Sequence, residues 1–131
     1  MLDTMIVSRF LKNDQTIAEH IRRIGPENLT ISSITRAELR YGVAKRPSAT
    51  RLAQIVDEFL IRISCQPWDN HTADTYGQLR ATIESKGISL APLDLMIAAH
   101  AMATNAILAT ADQAFKHVEF LHLEDWSHSL Q

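Results

Sequence analysis

The stretch Leu29-Thr30-Ile31-Ser32-Ser33-Ile34-Thr35-Arg36-Ala37-Glu38-Leu39-Arg40-Tyr41-Gly42 decides the fold class. Its first four residues have the pattern of a short buried strand. From position 34 to 44 the pattern turns helical, with Ser33 placed to cap it. Working outward, the same alternation recurs. Residues 2–7 are short, apolar and β-compatible, interrupted by Asp3 and Thr4. Helical stretches follow at 8–12 and 16–24; in the second, Ile17, Ile21 and Ile24 share a face until Gly25-Pro26 stops it. On the other side, Leu52, Ile55, Val56, Phe59, Leu60 and Ile63 form the clearest amphipathic helix in the chain. Residues 63–66 read as a short strand stopped by Pro67. Asp69 or Asn70 caps a helix that places Ala73, Tyr76, Leu79 and Ile83 on one side and ends at Lys86-Gly87. Pro92 opens a further helix to about position 104, with Ile97, Ala98 and Ala101 inward. Residues 106–110 form a buried strand, 112–116 a short helix and 119–123 a last strand. Short apolar strands separated by helices predict an α/β fold with a parallel sheet and helices on both faces.

The 131 residues fit one domain, 1–131, with a core large enough to need no staples. The lone Cys65 excludes an internal disulfide framework and a cysteine-based zinc site. No apolar run reaches membrane-spanning length and no signal peptide is visible, so the expected setting is the cytoplasm, away from any membrane. The net charge of −2 hides an asymmetry: Arg36, Arg40, Lys45, Arg46 and Arg51 stand against the single acid Glu38. Such a stripe can hold a polyanion, or can be a solvated helix face followed by a basic loop.

Four acids sit where strands give way to helices. Asp3 is in or at the end of the first strand, Glu38 one turn into the helix after the second, Asp94 in the first turn of the Pro92 helix, and Asp112 just past the strand ending at Thr110. In a parallel α/β sheet the segments leaving the strands' carboxyl ends meet at one edge, where ligands bind. Each acid has a local explanation: Glu38 three residues after Thr35 mimics a capping box, Asp94 complements the helix dipole, and Asp112 is a good N-cap. Asp3 is harder to dismiss, because Asp is depleted in strands. If the four converge, two carboxylates about 4 Å apart repel by roughly 4 kcal/mol at an effective dielectric near 20. The cluster must then take up protons or bind a cation, and an oxygen-only donor set suits Mg²⁺ or Mn²⁺. Such a metal can activate water and neutralise charge on a phosphodiester, with the basic stripe holding a nucleic-acid backbone.

The same residues carry a resemblance that covers essentially the whole chain. The opening segment 1–8 with Asp3, the segment 31–42 with Glu38, the segment 88–100 with Asp94, the segment 108–115 with Asp112, and Leu123-Glu124-Asp125-Trp126 together resemble PIN-domain ribonucleases. Within that group the chain is similar to the VapC toxins of type II toxin–antitoxin systems. The resemblance implies a three-layer αβα sandwich with a mainly parallel sheet. It also implies Mg²⁺ or Mn²⁺ at the acidic cluster and endonuclease cleavage of single-stranded or looped RNA, tRNA or rRNA in several relatives, which halts translation. A homodimer and a cognate VapB antitoxin are implied as well. Residue by residue, Asp3, Glu38 and Asp94 match the three core acids, Asp112 the fourth, and Thr110 a hydroxyl beside it. Two positions depart from the pattern: Met5 stands where the opening motif usually has Asn, and Ala111 where many relatives have a polar residue.

Those departures motivate an alternative, a PIN-like module that binds RNA or antitoxin without cutting. A phospho-acceptor or phosphatase domain is a third class, opposed by the lack of an Asp-x-Asp after the first strand. His100, in a small-residue helix, reads as a core histidine; His71, His117, His122 and His128 read as surface, and Trp68 and Trp126 as packing residues.

Overall fold

The computed structural model describes residues 1–129. Thr4–Leu11 (α1) and Gln15–Ile24 (α2) lead to the strand Thr30–Ser32 (β1). Ser33–Ala44 (α3) and Thr50–Arg62 (α4) precede Ser64–Gln66 (β2). Asn70–Ser85 (α5) and Pro92–Ala103 (α6) precede Leu108–Thr110 (β3), and Leu123–Asp125 (β4) follows. Strand β1 pairs in parallel with β2, and β3 with β4. Among the described residues Leu2 alone joins the two pairs, bridging in parallel to Ile31 and to Ala109. The sheet order is therefore β2–β1–Leu2–β3–β4, all parallel.

Neighbouring residues in the central strands face opposite ways, and each face has its own core. Leu2, Ile31 and Ala109 pack with Ile6, Val7, Ile17, Val56 and Phe59, from α1, α2 and α4. Met1 and Leu108 pack with Leu79, Ile83, Leu95 and Ile97, from α5 and α6. Helix α3 gives Leu39 to the first core and rests Ile34 against the second. This is the expected three-layer αβα arrangement.

Element ends differ from the sequence reading in instructive ways. Residues 2–7 are not a strand: only Leu2 bridges, because the Asp3 carboxylate accepts the Ile6 N–H at 2.8 Å and starts a helix at Thr4. The apolar residues Ile6 and Val7 are buried from that helix. Ser32, not Ser33, caps α3. Ala73 is exposed on α5, whose buried residues are Thr72, Leu79 and Ile83. The segment after Asp112 is a 3₁₀ helix, Gln113–His117. The last strand lies at Leu123–Asp125 rather than 119–123: Phe120 has a positive φ of 66° and cannot continue an extended ladder. Among the described residues no helix is long and apolar enough to cross a membrane.

Candidate active site at the carboxyl edge of the sheet

All strands run the same way, so the chain leaves Leu2, β1 and β3 at one edge. Leu2 hands on to Asp3, β1 to α3 with Glu38, and β3 to Asp112. Helix α6, which returns the chain to β3, starts at that edge with Pro92 in its first turn and Asp94 behind it. The four acids predicted to converge act on one another there. Burial raises Asp94 to about 6, and Asp112, Asp3 and Glu38 add to the rise. Asp3 is 2% exposed and is also pushed above the usual carboxylate range, first by burial, with Asp112 and Glu38 contributing. The charges that act most on these two groups are those of the other acids.

Hydroxyls set the orientation of the acids. Thr110, buried at the end of β3, donates its Oγ1–H to Asp3 Oδ2 at 2.5 Å and accepts the Asp112 N–H at 3.0 Å. One hydroxyl thus ties two of the acids to the strand end. Asp112 in turn caps the 3₁₀ helix through Ala114 N–H. Thr4 Oγ1 donates to Glu38 Oε1 at 2.8 Å and lies 2.9 Å from Thr35 Oγ1. Since the single Thr4 proton goes to the carboxylate, the fully buried Thr35 hydroxyl donates to Thr4. The sequence reading missed this Thr35–Thr4–Glu38 relay. Its only sequence signal is the spacing Thr35-x-x-Glu38, which mimics a capping box; the Thr35 hydroxyl points across to Thr4 at the start of α1 instead.

The remaining candidates fall as follows. His100 is fully buried, and its Nδ1 pairs with Ser32 Oγ at 2.7 Å, beneath the start of α3. Burial pushes its pKa down, and it lies in the core. Trp126 is buried and stacks on His20, ring centroids 4.8 Å apart, and Trp68 donates its indole N–H to the Met96 carbonyl. His71, His117, His122 and His128 are exposed. In the basic stripe, Arg40 pairs with Asp57 at 2.6 Å and is diverted from the site. Lys45 and Arg46, with Lys12, edge a groove of about 400 Å³ that begins at Thr4 and Glu38. Met5 is 49% exposed at the start of α1.

Carboxylate oxygens are the donor chemistry that suits a hard divalent ion, which would relieve the raised Asp3 and Asp94. Among the described residues, however, no three His, Cys, Asp or Glu side chains form a group that could hold an ion as they stand. Asp3 and Asp94 nonetheless feel the charges of Glu38 and Asp112.

A family model, PIN domain, matches residues 1–121. Ribonuclease VapC2 of Rickettsia felis is 36% identical over 129 residues, covering 96% of each chain. The tRNA(fMet)-specific endonuclease VapC of Shigella flexneri is 34% identical, covering 97% of each. Among solved structures, VapBC2 from Rickettsia felis bound to a DNA fragment from their promoter superposes with a TM-score of 0.88 at 35% identity, covering 97% of this chain and 98% of that one. DNA-bound VapBC from Salmonella typhimurium gives 0.89 at 33% identity, covering 96% of each.

Proposed function

Since this chain belongs to the PIN-domain family and is a VapC-type toxin ribonuclease of a VapBC pair, we propose that it is a metal-dependent endonuclease that halts translation by cutting tRNA or rRNA in a loop or other unpaired stretch. The observation that supports this most is that Asp3 and Asp94 are pushed above the ordinary carboxylate range, first by burial and then by the charges of Glu38 and Asp112 and, for Asp94, of Asp3. Asp3, Glu38, Asp94 and Asp112 would hold Mg²⁺ or Mn²⁺. The chemistry supplied there is Lewis-acid activation of water and neutralisation of charge on the phosphodiester.

The chain's own residues do the rest. Thr110 fixes the rotamers of Asp3 and the backbone of Asp112. Thr35 and Thr4 fix Glu38. Asp94, half-buried and among the described residues without a hydrogen-bond donor, would be strongly relieved by a cation. Lys12, Lys45 and Arg46 give the RNA backbone an electropositive edge beside the acids. The partner we propose is a VapB-type antitoxin, with the toxin acting as a homodimer in the cytoplasm. The whole chain, 1–131, serves as one PIN domain.

The test is to purify the chain free of antitoxin and incubate it with total tRNA and rRNA in Mg²⁺, in Mn²⁺ and in EDTA, and to map RNA 5′ ends after brief expression in cells. Discrete cuts that vanish in EDTA and with Asp3→Asn or Asp94→Asn are expected. Full activity in EDTA, or in either variant, overturns the mechanism. No cleavage under any condition favours the alternative that Met5 and Ala111 suggest, a binding module without catalysis.

A further inference from the structure

The groove that Glu38 shares with Thr4, over a floor that includes Leu39, Leu52 and Val56, carries an aromatic residue that the core does not use. Thr4 and Glu38 stand at one end, Lys12, Lys45 and Arg46 edge it, and Tyr41 stands between. Tyr41 follows Glu38 by three residues on α3, so the two occupy neighbouring turns of one helix face. The Tyr41 side chain is 66% exposed and belongs to neither core. The Lys45 ammonium lies 5.0 Å from its ring centroid, which steadies the ring at the rim. Among the described residues, Lys12, Lys45 and Arg46 form no ion pair. Beside the ring, position 42 is a glycine in mid-helix, where Gly is about 1 kcal/mol worse than Ala. A Cβ at Gly42 would meet no atom within 4 Å, so packing does not demand its absence; the missing side chain lowers the groove floor next to the ring.

We propose that Tyr41 is the stacking platform for an unpaired RNA base next to the phosphate to be cut, with Lys12, Lys45 and Arg46 holding the adjoining backbone. The proposal rests on the ribonuclease reading and names how that site selects its substrate. An exposed ring flanked by unpaired cations supplies what a single-stranded nucleotide offers to be recognised by, a π face and a phosphate. A duplex keeps its base faces stacked inside and presents none to the ring. The selection is therefore for loops and unpaired stretches and tolerates different bases.

The experiment uses the full chain carrying Asp94→Asn, so that RNA is bound without being cut. Affinity for a short labelled single-stranded oligoribonucleotide is measured by fluorescence anisotropy at fixed salt, and again with Tyr41→Ala, Tyr41→Leu or Tyr41→Phe added. With Phe the affinity should stay within about twofold, whereas Ala and Leu should weaken it about tenfold, the scale of one stacked base. Binding to a blunt duplex should not change. An abasic site walked along the oligonucleotide should find one position where the loss matches that of Tyr41→Ala and where the two changes together cost no more than one. RNA affinity indifferent to Tyr41→Ala, as it would be if the ring served a protein segment in this groove, overturns the proposal. So does an equal loss on duplex and on every abasic strand. Failure of both the Asp94→Asn chain and the unsubstituted chain, held in EDTA, to bind any RNA overturns the ribonuclease reading together with this one.

Discussion

Asp94 carries two expectations of opposite pH sense. Its pKa, about 6 against an ordinary 3.8, means the folded protein binds this proton more tightly than the unfolded chain does. The stability the group contributes is full below the unfolded value and is lost as pH rises through about 6. In the absence of divalent ions, denaturant melts should therefore show stability falling between about pH 4 and pH 6.5 relative to Asp94→Asn, which removes that slope. The gain from Asp94→Asn at pH 7 should be on the order of 1 kcal/mol, after screening at a half-buried site. A variant no more stable than the parent at pH 7 would show that Asp94 is not strained by its neighbours. Activity should move the other way, since cation binding requires the ionised form. Thr110 tests the hydroxyl that ties Asp3 to Asp112. Thr110→Val leaves a buried carboxylate oxygen and a backbone N–H without their partner, at a cost of about 1–3 kcal/mol. It also removes a hydrogen bond that holds the Asp3 pKa down. Urea midpoints and cleavage rates should both fall, and Thr110→Ser should restore them; unchanged cleavage in the Val variant would make Thr110 a bystander.

At the scale of elements, α2, α4, α5 and α6 are legible in the sequence because their apolar spacing and their stops agree: Gly25 after α2, Asp69 before α5, Pro92 at the start of α6. The opening strand was not legible. Asp3 is depleted in strands for a reason that also makes it a good N-cap, and only the pairing of Leu2 with two strands from far along the chain reveals how short the central strand is. The last strand was misplaced because nothing local marks Phe120 as left-handed; it lies in the turn that sets the register of β4. The electrostatic influence of Glu38 and Asp112 on Asp3 and Asp94 is what parallel topology leads one to expect, since it fixes which strand ends meet. The Thr35–Thr4 relay was not legible, because its partners lie 31 residues apart on separate helices. Helix α3 supports a prediction of its own. Gly42→Ala meets open space and should stabilise the helix by up to about 1 kcal/mol, read as a higher thermal midpoint. If the groove takes RNA, the same change should slow cleavage while stability rises. A stabilised variant with full activity would mean that the groove floor is not used.

For the whole molecule, the distribution of charge matters more than its total of −2. The two cores clamp the sheet from either side and fix the strand ends, so the carboxylates at the edge cannot separate without breaking the packing of Leu2, Ile31 and Leu108, all fully buried. Folding therefore confines a repulsion that the unfolded chain does not suffer. Anything that neutralises it should stabilise the native state by RT ln(1 + [L]/Kd), about 2.7 kcal/mol at a hundredfold excess over Kd. Mg²⁺ or Mn²⁺ at pH 7.5 should raise the melting temperature by several degrees, and KCl at matched ionic strength should not. At pH 5 the shift should shrink, because Asp94 then carries its proton. In Asp94→Asn it should nearly vanish, since that variant starts with less repulsion to relieve and one ligand fewer. The readout is independent of catalysis, so it separates ion binding from RNA cleavage. An equal shift in parent and Asp94→Asn would place the ion elsewhere on the surface and leave the acids at the sheet edge without the cation their mutual repulsion calls for.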